Sequence, residues 1–146
     1  MSLRVTYRGG ARYDIDSRGH GVITDQPVDE DGTDAGMSPV DLFVGSLTAC
    51  VAYFVGRYCA RHQIPCEGFT VEADWAMAEQ PHRVGRVGLR ITLPKSVNPS
   101  ERDRLLRVAQ GCTVHQTLMA PPSVDIQLVA PEVRGVQGGG SDAAGA

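Results

Sequence analysis

The four cysteines of this sequence are the side chains that could act as nucleophiles, as metal ligands or as core residues. Cys112 follows Gly111 at a predicted helix start, where backbone N–H groups and the helix dipole favour a thiolate. His115 lies one turn further on and could assist the same thiol. Cys50 falls inside an apolar helix, where a cysteine is by default a small core side chain. Nucleophilic thiol chemistry and simple packing are therefore both open for this pair.

A zinc site is the main metal alternative, because Cys112-x-x-His115 has the spacing of half a zinc site. The other half would have to come from Cys50, Cys59 or Cys66, and no two of these have C-x₂₋₄-C spacing. We therefore expect no metal and no cofactor, and we interpret Cys59 and Cys66 as structural or incidental.

The composition narrows the function classes. The 146 residues fit one domain, and the net charge of −3 with a pI of about 5.7 argues against a nucleic-acid partner. There is no G-x-S-x-G elbow of a serine hydrolase and no phosphate-binding Walker A or G-x-G-x-x-G motif.

Targeting and membrane signals are also absent from the sequence. The first residues contain no apolar signal-peptide core, and the longest central uncharged run, residues 42–56, is shorter than the roughly 20 residues of a membrane span. We expect no membrane association, a cytoplasmic location and cysteines that are reduced at rest.

The central helix has a strong start signal. Ser38 is a good N-cap, Pro39 suits the first helical position, and Asp41 completes an S-x-x-D capping box. The helix is expected to end near His62, before the Ile64-Pro65 pair. Its first four turns are apolar on every face, which predicts a helix buried all round, inside a dimer or between other elements.

The remaining pattern predicts an α+β fold, with strands and helices segregated along the chain. Three short strands precede the long helix. An antiparallel pair near residues 69–77 and 87–93 follows it, then two helices, and a last strand on Val124, Ile126 and Leu128. Residues 1–131 are predicted to form the domain, and the Gly/Ala-rich residues 132–146 a disordered tail.

Two stretches together resemble the OsmC/Ohr family of hydroperoxide reductases. One runs from Ser38-Pro39 to Cys50, and the other is the CTVHQTL segment that begins at Cys112. The turn Arg18-Gly19-His20-Gly21 is similar to the glycine turn of that family's N-terminal sheet. The resemblance covers roughly residues 5–129.

The resemblance implies a fold and a reaction. The fold would be an intertwined homodimer, with antiparallel sheets wrapped around two long central helices and with Cys50 and Cys112 meeting at the interface. Cys50 would attack a peroxide as a thiolate and become a sulfenic acid, and Cys112 would condense with it to a disulfide. An external thiol or dithiol, such as a lipoylated protein, would reduce the disulfide. Arg18, with Arg12 as the fallback, would hold Cys50 as a thiolate.

One departure from the family pattern bears on activity. The family's peroxidases have a glutamate directly after the helix-opening proline, paired with the arginine, whereas this chain has Val40 there. The carboxylate comes one place later, at Asp41, as in a more divergent branch of the family. Capping the helix is the expected role of Asp41.

The expected surroundings of Cys50 also predict a substrate preference. Apolar walls from Phe43, Leu47 and Phe54 would favour organic over hydrogen peroxide. Two alternatives stay open: a catalytically weak dimer of this fold that binds small apolar ligands in a stress response, and a zinc-stabilised structural domain.

Overall fold

The structure, a computed structural model, describes residues 2–130 of the chain. It is a mixed α+β fold with segregated strands and helices, as predicted. The strands are β1 (Arg4–Gly9), β2 (Arg12–Ser17), β3 (His20–Thr24), β4 (Thr70–Glu79) and β5 (His82–Thr92). The helices are α1 (Pro39–Arg61), α2 (Arg102–Gln110) and α3 (Thr113–Met119).

The first three strands form one antiparallel sheet in the order β1-β2-β3. Gly9 and Gly10 have positive φ angles of 103° and 58° at the first reversal, a conformation that glycine adopts without steric cost. At the second reversal Arg18 (φ 53°) and Gly19 (φ 81°) link the paired residues Ser17 and His20. Positive φ at both central residues makes this a tight two-residue hairpin turn.

The segment between β3 and α1 is organised around one buried carboxylate. Asp25 accepts hydrogen bonds from the backbone N–H groups of Gln26 (2.8 Å), Thr33 (3.0 Å) and Ala35 (3.2 Å), and from the Thr33 hydroxyl. The Thr33 hydroxyl and these N–H groups lower the pKa of Asp25 to about 2, although burial opposes them. The loop is thus held in one path into α1.

The β4–β5 hairpin is the second antiparallel sheet, and it confirms the predicted strand pair. The register runs from Thr70 opposite Thr92 to Glu79 opposite His82. Alternate side chains, among them Val71, Val87, Leu89 and Ile91, pack against the core beside α1.

The central helix begins where the capping signal predicts. The Ser38 hydroxyl accepts the Asp41 N–H (3.1 Å), and the Asp41 carboxylate accepts the Ser38 N–H (2.9 Å) and hydroxyl (2.7 Å). The helix ends at Arg61, with His62 as its C-cap. Both ends therefore agree with the prediction within one residue.

Within one protomer, α1 is buried along a single stripe rather than all round. The buried residues recur every three or four positions: Val44, Leu47, Val51, Val55 and Cys59. They face β4, β5, α2 and α3. The other faces are open, and the Tyr53 side chain is 60% exposed. By length and composition α1 could cross a membrane, a test that the core helix of a globular protein also passes.

The predicted last strand is wrong for the single protomer. Residues 120–130 are all described, and none of them is in a strand. Val124, Ile126 and Leu128 are 77%, 93% and 102% exposed. The alternation that predicted a strand is present, but no neighbouring strand of the protomer offers hydrogen bonds to this segment. The predicted disordered tail, residues 132–146, lies outside the described residues.

Candidate active site

Cys112 lies at the start of α3, as the sequence predicts. It is the N-cap residue of that helix, and its sulfur accepts the backbone N–H of His115 at 3.4 Å. The chain reaches it through a turn in which the Gly111 N–H donates to the carbonyl of Arg107 at 3.1 Å. The Cys112 side chain is completely buried in the core.

Cys50 reaches the same point from the middle of α1. It packs against the core and is partly exposed, whereas Cys112 is not exposed at all. The Cys50 thiol lies close enough to Cys112 to disfavour its ionisation. Packing of α3 against α1 therefore brings together two cysteines that lie far apart in the sequence, and it does so within one protomer.

The two thiols differ in how easily they ionise. Burial raises the pKa of Cys112, and contact with Cys50 raises it further, while the His115 N–H lowers it. The net direction is upward. The backbone N–H groups of His115 and Val114 at the helix start do favour the thiolate, as predicted, but the loss of hydration on burial outweighs them. Cys112 is held as a neutral thiol at neutral pH.

His115 contacts the site through its backbone rather than its ring. The ring Nδ1 lies 2.6 Å from the Gln110 carbonyl, so it is the donor in that hydrogen bond. Gln116 donates its side-chain amide to the same carbonyl at 2.9 Å. The ring thus braces the turn between α2 and α3, which in turn holds Cys112.

Asp41 is occupied at the start of α1. Its carboxylate accepts two hydrogen bonds from Ser38, as expected for a cap. Nine residues separate it from Cys50, about 13 Å along a helix axis. Asp41 is thus placed to stabilise the helix rather than to contact the thiol.

The OsmC-like protein family model matches residues 32–127, well over half of the chain and the part that contains both thiols. The chain belongs to the OsmC-like family. The resemblance seen in the sequence is confirmed.

Solved structures of OsmC-like proteins have the same fold. A protein of Psychrobacter arcticus 273-4, described as a candidate osmotic stress induced and detoxification response protein, is 29% identical, with a TM-score of 0.74 over 80% of this chain and 87% of that chain. The organic hydroperoxide resistance protein OsmC of Legionella pneumophila is 17% identical, with a TM-score of 0.62 over 81% and 89%.

A third structure is the OsmC-like hydroperoxide resistance protein of Jannaschia sp. CCS1. It is 21% identical, with a TM-score of 0.53 over 88% of this chain and 91% of that chain. At this identity, as with the Legionella protein, the likeness shows the fold alone. No curated protein matches the chain.

The two candidate arginines of this OsmC-like chain lie in its N-terminal sheet. Arg18 is exposed in the β2–β3 turn and Arg12 is exposed at the start of β2. The principal contacts of α1 are with β4, β5, α2 and α3. Packing within one protomer thus does not bring either guanidinium to Cys50, and the role of each stays a prediction.

An apolar cleft is lined by Leu47 and Val51, which flank Cys50 on α1, and by neither thiol. Its volume is about 220 Å³, and it lies between α1, β5 and the α2–α3 turn. The lining residues are Leu47, Val51, Val87, Leu89, Ile91, Leu106, Ala109, Gln110 and His115. Leu47 is the predicted wall residue that lines it, one turn before Cys50. Phe54 packs into the core, and Phe43 is largely exposed.

Gln110 is the site residue that the sequence does not reveal. It acts through its backbone carbonyl, which every residue type carries, so no side-chain pattern could mark it. Among residues 2–130 no group of three His, Cys, Asp or Glu side chains is placed to hold a metal ion.

Proposed function

We propose that this OsmC-like chain is a thiol-dependent peroxidase that reduces organic hydroperoxides, and hydrogen peroxide less well. One observation carries the proposal: a partly exposed Cys50 thiol lies close to a buried Cys112 thiol whose pKa is raised. A peroxide can reach Cys50, and the second thiol needed to close a disulfide is already nearby. Relatives named for organic hydroperoxide resistance support a peroxide-related stress role.

In the first step the Cys50 thiolate attacks the terminal, hydroxyl-bearing oxygen of the hydroperoxide. The O–O bond breaks, the OH group stays on Cys50 as a sulfenic acid, and the alkoxide takes a proton from water and leaves as an alcohol. The partial exposure of Cys50 favours it for this step. Cys112 is buried and neutral, and a protonated thiol is a poor nucleophile.

In the second step Cys112 attacks the Cys50 sulfenic acid. An S–S bond forms, the S–O bond breaks, and the hydroxyl leaves with the Cys112 proton as water. The contact between the thiols means that this step needs little movement of the chain. An external thiol or dithiol, such as a lipoylated protein, then reduces the disulfide and regenerates both thiols.

The thiolate in the first step requires a nearby cation, and we propose that Arg18 supplies it in a homodimer. Three features of the protomer support a second copy: the open apolar faces of α1, the exposed apolar segment 124–128, and an N-terminal sheet that packs little on α1. A partner copy could cover the first two and bring a β2–β3 turn to Cys50.

The apolar cleft supports the substrate preference. Seven of its nine lining residues are apolar, which favours an alkyl chain over the small, strongly hydrated hydrogen peroxide. The affinity for the organic part of the substrate would come from this surface.

The test is the rate of peroxide consumption by the reduced protein with a dithiol reductant. We expect cumene hydroperoxide to be consumed faster than hydrogen peroxide, and Cys50→Ser to remove both activities. Cys66→Ser, a cysteine substitution outside the pair, is the matched control and should retain the rate. Equal rates for the two peroxides would remove the substrate preference. Full activity in Cys50→Ser would overturn the mechanism.

Val40 motivates a second candidate function, a weakly catalytic dimer that binds small apolar ligands in the same cleft. The family's peroxidases have a glutamate at that position, and this chain has no carboxylate there. A binding protein needs no reactive thiol, so Cys50→Ser would leave ligand affinity intact. Slow peroxide turnover together with such binding would favour this alternative.

A further inference from the structure

The end of α1 carries a second pair of thiols in contact. Cys59 is completely buried in the last turn, and Cys66 is partly buried in the segment that follows. Cys66 packs against the core cluster that contains Cys59, and its thiol lies close enough to disfavour ionisation of Cys59. The interpretation of both cysteines as structural or incidental does not anticipate this contact.

The backbone turn between these cysteines brings the chain back towards Cys59. Gln63 has a positive φ of 55°, and the Ile64 N–H donates to the carbonyl of Cys59 itself at 2.9 Å. A left-handed residue with a bond back to the third-last helical carbonyl is a Schellman motif, a common way to end a helix. Cys66 therefore lies close to Cys59 because of local backbone structure.

Two further hydrogen bonds hold the Cys66 segment in place. The Ser96 hydroxyl donates to the carbonyl of Pro65 at 2.8 Å, and the Phe69 N–H donates to the carbonyl of Cys66 at 3.1 Å. Cys66 is thus fixed from both sides as the chain enters β4, and the contact between the thiols does not depend on a mobile loop.

This pair is separate from the first one. Cys59 lies nine residues beyond Cys50 on α1, which is about 13 Å along the axis and half a turn around it. Cysteines that form a disulfide have Cα atoms no more than about 7 Å apart. Cys50 and Cys59 of one chain therefore cannot form a disulfide with each other.

We propose that Cys59 and Cys66 form a second redox-active dithiol, which is oxidised to a disulfide by small-molecule disulfides. In the first step the Cys66 thiolate attacks a disulfide RS–SR, forms a mixed disulfide and releases RS⁻. In the second step the Cys59 thiol attacks the Cys66 sulfur, the Cys59–Cys66 bond forms, and the second RS group leaves with the Cys59 proton. The two cysteines are oxidised, and one RS–SR becomes two thiols.

Exposure sets the order of the two steps. Cys66 is the member of the pair that solvent reaches. Burial, and then contact with Cys66, raises the pKa of Cys59 to about 12, so Cys59 stays protonated until a partner is delivered to it. The product would tie the last turn of α1 to the segment that begins β4, independently of the peroxide reaction.

Trypsin separates all four cysteines, which makes the product easy to identify. Cys50 lies in the peptide Gly19–Arg57, Cys59 in Tyr58–Arg61, Cys66 in His62–Arg83 and Cys112 in Val108–Arg134. A disulfide between any two of them joins a distinct pair of peptides. The probe is 2-hydroxyethyl disulfide, added to the reduced full-length chain.

In the double variant Cys50→Ser/Cys112→Ser, which has no peroxidase thiols, we expect loss of two hydrogen atoms and linkage of Tyr58–Arg61 to His62–Arg83. Dithiothreitol should reverse both. Adding Cys59→Ser to this variant should stop the reaction at a stable mixed disulfide on Cys66. The unsubstituted chain should give the same linked peptides, which guards against misfolding of the variant.

Two results would overturn the proposal. One is a mixed disulfide that persists on Cys66 although Cys59 is present. The other is four unmodified thiols in the unsubstituted chain after the probe has reacted with a small reference thiol. Both results are obtained with a small-molecule disulfide and without peroxide, so neither depends on whether the proposed peroxidase reaction is correct.

Discussion

Each of the two thiol pairs has one member on α1, and the pairs differ in which member is accessible to solvent. In the first pair the helical residue, Cys50, is the accessible one, and its partner Cys112 is buried. In the second pair the helical residue, Cys59, is buried, and its partner Cys66 in the following segment is accessible. Each pair therefore combines one thiol that can meet a reagent with one that is kept protonated beside it.

The pairs also differ in what brings the two sulfurs together. Cys59 meets Cys66 through a single turn at a helix end, so local backbone structure is sufficient. Cys50 meets Cys112 only after α2 and α3 have packed against α1. The α1 residues that line the apolar cleft, Leu47 and Val51, flank Cys50 rather than Cys59. Peroxidase chemistry also needs a place for the substrate, so we expect it at the first pair.

The largest expected difference between the pairs is in peroxide turnover. Cys50→Ser should lower kcat/KM for cumene hydroperoxide at least about 1,000-fold, because it removes the nucleophile. Cys66→Ser should leave the value within about twofold, since sites without shared partners act independently. Steady-state kinetics with a dithiol reductant measures both. A comparable loss of kcat/KM in the two variants would show that the two pairs do not differ in peroxide turnover.

The next largest effect on the peroxide rate should come from removing a cation that lies near only one of the two thiol pairs. If Arg18 lies beside Cys50 in the assembled protein, Arg18→Gln removes the cation that stabilises the thiolate and lowers the rate about 10- to 1,000-fold at neutral pH. The rate should recover as the pH is raised. Arg12→Gln is the matched control from the same sheet. An unchanged pH–rate profile in Arg18→Gln would exclude that role, and a shifted profile in Arg12→Gln would transfer it there.

Oxidation should stabilise the protein to different extents through the two pairs. A Cys50–Cys112 bond closes a loop of about 60 residues and should add about 4 kcal/mol to the free energy of unfolding. A Cys59–Cys66 bond closes about eight residues and should add about 2.5 kcal/mol. Each value is measured by guanidinium unfolding of the variant that keeps only that pair, Cys59→Ser/Cys66→Ser or Cys50→Ser/Cys112→Ser. Each variant is unfolded in its oxidised and in its reduced form. Equal gains would show that strain or unfolded-state structure dominates over loop closure.

Alkaline pH should destabilise the reduced protein in part through Cys59. Burial raises the pKa of this thiol from 9.0 to about 12, so the folded state keeps a proton that the unfolded state loses. This thiol does not change the free energy of unfolding below pH 9, and it lowers that free energy between pH 9 and 12. The loss is on the order of 1 kcal/mol at pH 10. Urea unfolding at pH 8 and pH 10 should show a smaller decrease in Cys59→Ala than in the unsubstituted chain. An identical decrease would contradict the burial argument.

The smallest effect is expected at the start of α1. Two substitutions there distinguish a capping role of Asp41 from a catalytic one. Ser38→Ala and Asp41→Ala should each cost about 1 kcal/mol of stability, because each removes one side of the capping box. Both should leave the peroxide rate within about twofold, since the Asp41 carboxylate bonds to Ser38. A rate loss in Asp41→Ala well beyond that in Ser38→Ala would show that the carboxylate acts on Cys50.

The features that could be predicted from the sequence are those that depend on local signals. The capping box set the start of α1, the alternation of apolar residues predicted β4 and β5, and Gly111 marked the turn before Cys112. Each depends on a few neighbouring residues whose side-chain or backbone preferences agree. The same holds for the two cysteines of the candidate active site, whose residue types and flanking motifs are written in short segments.

Properties that depend on burial or on a partner were not predictable in this way. The helix start at Cys112 indicated a thiolate, but the packed core around it reverses the direction of the pKa change. The alternating residues Val124, Ile126 and Leu128 indicated a strand, but a strand needs hydrogen-bonding neighbours that the protomer does not offer. The Cys59–Cys66 contact depends on a left-handed Gln63, a conformation that the residue type does not announce.

The most direct test of the central claim is to add one equivalent of cumene hydroperoxide to the reduced full-length chain and to map the product by mass spectrometry. The account predicts rapid loss of two hydrogen atoms and a disulfide that links Gly19–Arg57 to Val108–Arg134, the peptides that contain Cys50 and Cys112. Four unmodified thiols, or a disulfide that forms only between Cys59 and Cys66, would contradict it.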